Sequence, residues 1–286
     1  MKIFNTDGTK INLSLINYDV INFSDSQKQI ILNKDNYISK CVKIVTRMSW
    51  NDLQLIVLVI EALKRQSVVS IHLEVPYFLG ARSDRLFDKF STNYLKDIIC
   101  PIINSLNLKS VSILDPHSSV LEACINNFEE LSIKPFYDWF NETYLSTTED
   151  KQQTWVVSPD YGAIKRVEKF ANNYGFEKVL NCSKVREIQT GKILDIHIPI
   201  TDFGGHNCII IDDICDNGNT FINLAKELKE RNAGTITLLV THGIFASGFD
   251  NLFKYIDKIY TTNSIDDLNF LLKEKGFTSL FQYSVI

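Results

Sequence analysis

The sequence lacks the features that mark several classes of protein. Its six cysteines form no CxxC pair, no stretch rich in proline, glycine or serine separates two halves, and 30 Lys and Arg face 34 Asp and Glu. This balance leaves no electrostatic footprint for nucleic acid. No apolar run approaches the length of a membrane span, and polar residues stand where a signal peptide needs an apolar core. We therefore expect a cytoplasmic protein with reduced, buried thiols and with neither a membrane nor nucleic acid as a partner.

What the chain does have is the size and composition of a soluble globular protein. It contains 286 residues, of which 45% are hydrophobic and 22% are charged. This length suffices for two domains, each with a core of its own. Because the net charge is only -4, any binding of anions must be local.

The most informative stretch begins as an apolar run, Cys208 to Ile211, and then changes to acids, a glycine and small polar residues. Such a run is typical of a strand buried on both faces. Apolar residues at helical spacing follow as far as Gly234, a predicted helix stop, and Thr235 to Thr241 reads as the next strand. The pattern predicts one βαβ unit, in which ligands bind beyond the carboxyl ends of the strands.

The polar part of this stretch has two kinds of residue. Asp212 and Asp213 would repel a phosphate, so they suit sugar hydroxyls or a metal. The segment after them can wrap a phosphate with backbone N–H groups and a hydroxyl; it comprises Asp216, Asn217, Gly218, Asn219 and Thr220. The arrangement resembles the phosphoribosyl diphosphate (PRPP) motif of phosphoribosyltransferases and of ribose-phosphate pyrophosphokinases, also called PRPP synthetases. The motif alone does not separate these two families.

Two segments in the first half carry further resemblance to PRPP synthetases. After a predicted strand, Val68 to Val75, comes a loop with aromatics and arginines, and arginine both stacks on purines and forks onto phosphate. The loop resembles the family's ATP-binding segment, which implies ATP contacts from Arg82, Asp84 and Arg85, although Ser83 stands where the family usually has glutamine. After the predicted strand Ser110 to Leu114, His117 resembles the histidine of the family's Asp-x-His segment, which helps to position magnesium and ATP.

The second half contributes an acid and two cations. Asp160, in Ser158-Pro159-Asp160, resembles the family's aspartate at a cation site near the ribose. Lys184 and Arg186 lie two residues apart on an extended segment, where side chains project to the same side. They stand where PRPP synthetases carry their catalytic lysine and arginine, ahead of a hairpin for which 192–203 is a match.

An early segment bears on assembly. PRPP synthetases complete their nucleotide site with an aromatic and acids from a neighbouring subunit. Phe23 and Asp25 match that segment, whereas Gln27 replaces its glutamate. The resemblance therefore implies ATP-binding roles for Phe23 and Asp25 and a homo-oligomer, a dimer or a hexamer.

Taken together, the motifs resemble a short, divergent PRPP synthetase. That resemblance implies an α/β fold of two phosphoribosyltransferase-type domains, 1–148 and 149–286, each a mainly parallel sheet flanked by helices. It also implies transfer of the β,γ-diphosphate of ATP to the anomeric hydroxyl of ribose 5-phosphate, with Mg²⁺ as cofactor, held in part by His117 and Asp160. The pattern elsewhere predicts helices from the Ser49 N-cap to Arg65 and over 89–106.

Three alternatives stay open. ADP-ribose is a second candidate acceptor, in a reaction of NAD salvage, because Asn217 and Gly218 depart from the family's Asp-Thr-x-Gly-Thr loop. A non-catalytic, PRPP-synthetase-associated regulatory protein is expected to have lost some of the cations present here. A phosphoribosyltransferase would have no use for the Arg82 loop.

Overall fold

The computed structural model describes residues 1–6, 14–144, 151–186, 193–268 and 278–286. By internal contacts the chain divides into two compact units, Met1–Ser132 together with Ile286, and Ile133–Val285. None of the described helices is both long and apolar enough to cross a membrane.

In the part of the first unit that the structure describes, seven strands form two sheets. The strands are β1 (Lys2–Thr6), β2 (Tyr18–Asn22), β3 (Lys28–Leu32), β4 (Cys41–Val45), β5 (Ser70–Val75), β6 (Ser110–Leu114) and β7 (Phe128–Leu131). Five of them form a sheet in the order β1-β4-β5-β6-β7, in which β4 to β7 are parallel and β1 is an antiparallel edge. The other two strands, β2 and β3, form a separate antiparallel hairpin.

Three helices accompany this sheet: α1 (Trp50–Arg65), α2 (Cys100–Ser105) and α3 (Ser119–Cys124). Ser49 caps α1 as predicted, since its hydroxyl accepts from Asp52 N at 3.2 Å while Ser49 N donates to Asp52 Oδ2 at 2.8 Å. A reciprocal cap of this kind stabilises a helix by about 1 kcal/mol. The apolar side of α1 packs into the core beside β4 and β5.

The helix predicted over 89–106 starts later than expected. A π-helical turn, Leu95–Ile99, precedes α2, and the residues before it form a turn instead. Asp88 N donates to Ser91 Oγ at 3.0 Å, and Phe90 N donates to Asp88 Oδ1 at 2.7 Å. Such side-chain bonds compete with helical backbone bonds, which explains why the prediction was wrong for this stretch.

Among its described residues, the second unit has eight strands and three α-helices with defined bounds. The strands are β8 (Thr154–Ser158), β9 (Lys178–Asn181), β10 (Ser183–Arg186), β11 (Ile193–His197), β12 (Asn207–Cys215), β13 (Ile236–Gly243), β14 (Lys258–Thr262) and β15 (Leu280–Tyr283), and the helices are α4 (Lys134–Tyr144), α5 (Ile164–Tyr174) and α6 (Asn219–Glu230). Six strands form a parallel sheet in the order β15-β14-β13-β12-β8-β9. Strands β10 and β11 form an antiparallel hairpin.

Strand β12 lies inside this sheet and is buried on both faces. Ile209 and Ile211 belong to the core cluster that contains residues of α4 and α5, whereas Cys208 and Ile210 belong to the cluster that contains residues of α6. A strand covered on both faces needs apolar residues at consecutive positions. This is why the run preceding the two aspartates has no alternation.

Helix α6 ends at Glu230, so the prediction that Gly234 stops it was wrong. A Cβ at Gly234 would instead overlap the carbonyl oxygen of Gly205. Gly234 therefore permits a close approach of two backbones before β13, which is a different use of glycine from a helix cap.

The predicted fold class is confirmed, since both units are α/β with mainly parallel sheets and accompanying helices. The predicted boundary between 148 and 149 lies outside the described residues. The division by contacts places α4 in the second unit, because its aromatic side chains pack there. The Phe140 ring lies 4.8 Å from the Tyr260 ring on β14, edge to face, and 6.0 Å from the Phe170 ring on α5.

Candidate functional site

The second sheet has a topological switch point between β8 and β12. From β8 the chain goes outward to β9, whereas from β12 it goes the other way through β13 and β14, and β8 and β12 are themselves neighbours. Because both strands are parallel, their carboxyl ends lie at the same edge of the sheet. In open α/β sheets ligands bind at such a point. The residues after Ser158 and Ile211 are therefore the first candidates for a site.

Three aspartates gather at this edge. Asp160 follows β8, and its Oδ1 accepts from Gly162 N at 3.0 Å. Asp213 is buried on β12, and its backbone N donates to Asp212 Oδ1 at 2.9 Å. Burial, the Asp213 carboxylate and the Asp160 carboxylate raise the pKa of Asp212 well above its usual value. The site thus keeps mutually repelling acids together, which suits a ligand with hydroxyl donors or a cation.

The loop from Asp216 to Thr220 joins β12 to α6. Gly218 is the N-cap of α6 with φ +80°, and its carbonyl accepts from Phe221 N and Ile222 N at 3.0 and 2.9 Å. The loop therefore stands at the N-terminus of a helix that favours anions by its dipole. A Cβ at Gly218 would lie 2.8 Å from Leu252 Cδ2. The glycine at this position is thus explained by its left-handed backbone and by the packing of Leu252.

We expect Gly218→Ala to reduce the free energy of unfolding by about 2 to 3 kcal/mol, from backbone strain plus the contact with Leu252. Gly175→Ala is the matched control, because Gly175 also has a positive φ, +73°, but a Cβ there meets nothing within 4 Å. Its expected cost is about 1 kcal/mol. Urea unfolding of both variants measures the difference, and equal losses would show that Leu252 does not restrict this position.

A second loop, following β13, runs beside the first. Ile244 N donates to Cys215 O at 2.8 Å, and Ala246 N donates to Asp216 O at 3.1 Å. Ser247 Oγ donates to Asn217 Oδ1 at 3.0 Å. Ser247 was not predicted as a site residue, because a single hydroxyl between Ala246 and Gly248 is a weak local signal.

The two candidate cations lie on the β10–β11 hairpin. The backbone of Lys184 is paired with Ile196 and that of Arg186 with Ile193, with an irregularity of register between Val185 and Arg186. The prediction that the side chains of both cations project to the same side stays a prediction. Their side chains, and residues 187–192 of the hairpin, lie outside the described part of the chain.

In the first unit, the two predicted ATP segments lie at one edge of the sheet. They follow the parallel neighbours β5 and β6, and Leu114 N donates to Pro76 O at 3.2 Å. Arg82, Arg85 and His117 are exposed, as a contact to a ligand requires. The side chain of Asp84 is only 12% exposed, and its Oδ1 lies 3.8 Å from Arg85 Nε. Strand pairing therefore brings the Arg82 loop and the His117 loop together.

Phe23 and Asp25 lie in the turn of the β2–β3 hairpin. Phe23 N donates to Gln27 O at 2.8 Å, and Gln27 N donates to Asp25 Oδ1 at 3.1 Å. The carboxylate of Asp25 thus shapes the turn, while the Phe23 side chain is 50% exposed. The turn presents an aromatic ring to the surroundings.

The three aspartates of the second unit have donor chemistry that suits magnesium. Hard carboxylate oxygens are the ligands Mg²⁺ prefers, and it commonly takes one or two of them together with substrate phosphates and water. Within the described residues no three His, Cys, Asp or Glu side chains converge as a ready metal cage. The carboxylate oxygens of the three aspartates fit the group, with its remaining ligands to come from phosphate and water.

Comparisons with known proteins point to the same family as the motifs. Residues 178–275 match the model of the phosphoribosyl synthetase-associated domain. The chain is 28% identical over 275 residues to a ribose-phosphate pyrophosphokinase of Mycoplasmopsis pulmonis, covering 94% of this chain and 82% of the relative. It is 27% identical over 277 residues to a protein of the same name from Hyphomonas neptunium, covering 94% and 86%.

A solved structure agrees in fold. The phosphoribosylpyrophosphate synthetase of Mycobacterium smegmatis superimposes with a TM-score of 0.77 at 18% identity, covering 96% of this chain and 88% of the other. The similarity thus extends over both units and well beyond the PRPP motif. The resemblance drawn from the motifs is confirmed: over nearly its whole length the chain is similar to proteins named ribose-phosphate pyrophosphokinase.

Proposed function

We propose that this protein is a magnesium-dependent pyrophosphokinase that transfers the β,γ-diphosphate of ATP to the anomeric hydroxyl of ribose 5-phosphate, giving PRPP and AMP. The observation that carries the proposal is the meeting of Asp160, Asp212, Asp213 and the Asp216–Thr220 loop at one switch point. Acids suited to sugar hydroxyls there stand next to a helix N-terminus suited to a phosphate. The similarity to proteins named ribose-phosphate pyrophosphokinase supports this assignment.

In the second unit, the acids and the loop have separate roles. Asp212 and Asp213 accept hydrogen bonds from the ribose hydroxyls, which hold the sugar without neutralising both carboxylates. The loop from Asp216 to Thr220 binds the 5-phosphate through backbone N–H groups and the Thr220 hydroxyl. The anomeric hydroxyl is thereby fixed in position for attack.

In the first unit, the exposed groups of the two loops bind ATP. Arg82 and Arg85 contact phosphate oxygens or the purine, since a guanidinium can both fork and stack. Asp84 restrains Arg85 through their ion pair. His117 contributes a nitrogen to a phosphate oxygen or to the metal.

The reaction forms one bond and breaks one. The anomeric oxygen attacks the β-phosphorus and releases its proton to solvent, and the bond between that phosphorus and the oxygen bridging to the α-phosphate breaks, so that AMP leaves with the bridging oxygen. Lys184 and Arg186 stabilise the charge that develops on the transferred diphosphate. Magnesium, when bound, would neutralise further charge on the phosphates; Asp160 is the candidate ligand in the second unit and His117 the candidate ligand in the first.

The test is an AMP-release assay with purified protein, ATP and Mg²⁺, with and without ribose 5-phosphate. We expect AMP and PRPP in equal amounts only when the acceptor is present. AMP release that ignores the acceptor would reject the proposal. If neither ribose 5-phosphate nor ADP-ribose led to AMP release, the non-catalytic, regulatory alternative would be favoured.

ADP-ribose is the second candidate acceptor, and the composition of the loop from Asp216 to Thr220 supports this alternative. Compared with the Asp-Thr-x-Gly-Thr loop of PRPP synthetases, Asn217 puts an amide in place of a threonine hydroxyl, and the glycine, Gly218, stands one position earlier. Both Asn217 and Asn219 are exposed. An exposed loop leaves room for a group beyond the phosphate, as a phosphodiester requires. Comparing kcat/KM for the two acceptors measures differential transition-state binding. A strong preference for ADP-ribose would replace ribose 5-phosphate in the proposal.

We also propose that the protein acts as a homo-oligomer, with Phe23 of one copy contacting ATP bound by another. The exposed ring at the hairpin tip supports this role, because a stacked aromatic adds about 1 kcal/mol or more to purine binding. We expect Phe23→Ala to raise the KM for ATP about 5-fold or more with little change in the free energy of unfolding. Light scattering measures the assembly. An active, strictly monomeric wild-type protein would contradict the proposal.

A further inference from the structure

The loop after β13 fixes the position of Ser247 relative to Asn217. Ile244 N and Phe245 N both donate to Cys215 O, at 2.8 and 3.2 Å, and Ala246 N donates to Asp216 O at 3.1 Å. These backbone bonds run one loop alongside the other, up to the residue before each member of the pair. The approach of Ser247 to Asn217 is therefore dictated by the backbone and is not an encounter of two mobile side chains.

The side-chain contact has a direction. Ser247 Oγ donates to Asn217 Oδ1 at 3.0 Å. With its oxygen held by the hydroxyl, the amide presents its Nδ2 group, which carries two N–H donors, away from Ser247. Among the residues that the structure describes, none accepts a hydrogen bond from Asn217 Nδ2. Asn217 is also exposed, so a ligand can reach these donors.

We propose that Ser247 is a positioning residue that orients the Asn217 amide as a hydrogen-bond donor to a phosphate oxygen of the acceptor. This inference rests on the proposed function of the site. The oxygens of a phosphate accept hydrogen bonds from such a donor. The amide also precedes the N-terminus of α6, where a helix favours anions. Asn217 and Ser247 together select an acceptor with an oxyanion at this place.

The same contact disfavours two other uses of Asn217. An amide oxygen can ligate a hard cation or accept from a sugar hydroxyl. The Asn217 oxygen, however, already accepts from Ser247 Oγ. The Asp212 and Asp213 carboxylates serve those purposes better. A pre-oriented amide also loses little conformational freedom when the ligand binds, so an exposed bond that contributes little to folding still contributes to affinity.

The experiment is a double-mutant cycle of Ser247→Ala and Asn217→Ala in the full-length protein. Each variant is measured by calorimetric Kd for ribose 5-phosphate and by kcat and KM for the acceptor. We expect Ser247→Ala to raise both Kd and acceptor KM about 3- to 10-fold with kcat within about 2-fold, because the phosphate is remote from the anomeric oxygen that reacts. In the Asn217→Ala background the same change should have no further effect. Ser247→Thr keeps the hydroxyl and should restore wild-type values.

Ser105→Ala is the matched control, since Ser105 Oγ also makes an exposed bond, to Ile102 O at 2.7 Å, in the other unit. Equal losses from Ser247→Ala in both backgrounds, or a loss of kcat at unchanged KM and Kd, would overturn the positioning role. Equal losses in both backgrounds, together with normal AMP release, would leave the proposed function intact. Binding of ribose 5-phosphate without AMP release rejects the proposed reaction but still allows the cycle to be read through Kd. Wild-type protein that binds no ribose 5-phosphate would overturn both.

Discussion

Lys184→Ala is expected to fold like the wild-type protein and to turn over at least about 100-fold more slowly. A charged group that stabilises the transition state lowers the activation barrier by about 3 kcal/mol or more. One lysine on a hairpin, by contrast, contributes little to the free energy of folding. The KM values for ATP and acceptor should change much less than kcat. Steady-state kinetics and urea unfolding of the same preparation measure both effects.

Lys169→Ala provides the control for Lys184→Ala. Lys169 is an exposed lysine on α5 in the same unit, and its removal should leave kcat unchanged. If Lys184→Ala retained the wild-type kcat, Lys184 would have no part in the mechanism. If both kcat and the free energy of unfolding fell, the loss would be one of structure.

Asp212→Asn is expected to lower kcat/KM for the acceptor about 100-fold and at the same time to stabilise the folded protein by about 1 kcal/mol at pH 7. The activity falls because a carboxylate that binds the ribose is lost. The stability rises because the substitution removes a charge that burial, Asp213 and Asp160 all disfavour. The asparagine can keep the bond that Asp212 Oδ1 accepts from Asp213 N.

The gain in stability has a defined dependence on pH. The folded state raises the pKa of Asp212, so it binds more protons than the unfolded state between the ordinary pKa of about 3.9 and the raised value. The wild-type protein therefore loses stability as pH rises through that window. The advantage of Asp212→Asn should grow through the same window and vanish below it.

Thermal unfolding of both proteins over a pH series measures this dependence, with Asp19→Asn as the control on the exposed hairpin strand β2. A constant difference across the series would mean that Asp212 does not titrate as proposed. A destabilised Asp212→Asn protein would mean that the carboxylate is a structural partner in this site. Either result would overturn the predicted, pH-dependent gain in stability without touching the predicted role of Asp212 in binding ribose.

Much of the fold could be predicted from sequence because the second sheet is buried on both faces. The continuous apolar run of β12 and the capping residues of α1 are local signals, and both elements were observed. The start of α2 could not be predicted, because its outcome depended on bonds among Asp88, Phe90 and Ser91 that compete with a helix. Gly234 was misread because its close neighbour, Gly205, is remote in sequence.

The candidate site was predictable where the motif is continuous and not where two loops meet. Asp212, Asp213 and Asp216–Thr220 lie on one strand-loop-helix segment, so their proximity follows from the pattern. The bond between Ser247 and Asn217 joins residues from separate loops. The repulsion between Asp160 and Asp212 likewise needs the neighbouring positions of β8 and β12.

The packing of α4 determines how the second half can be produced as an isolated fragment. A fragment starting at residue 149 would lack Phe136, Phe140 and Trp139, whose rings cover Tyr260, Phe170 and Tyr283. The uncovered aromatic surface would favour aggregation during expression. A fragment starting at Ile133 keeps this layer and is the better choice for isotope labelling and for crystallisation of the second unit.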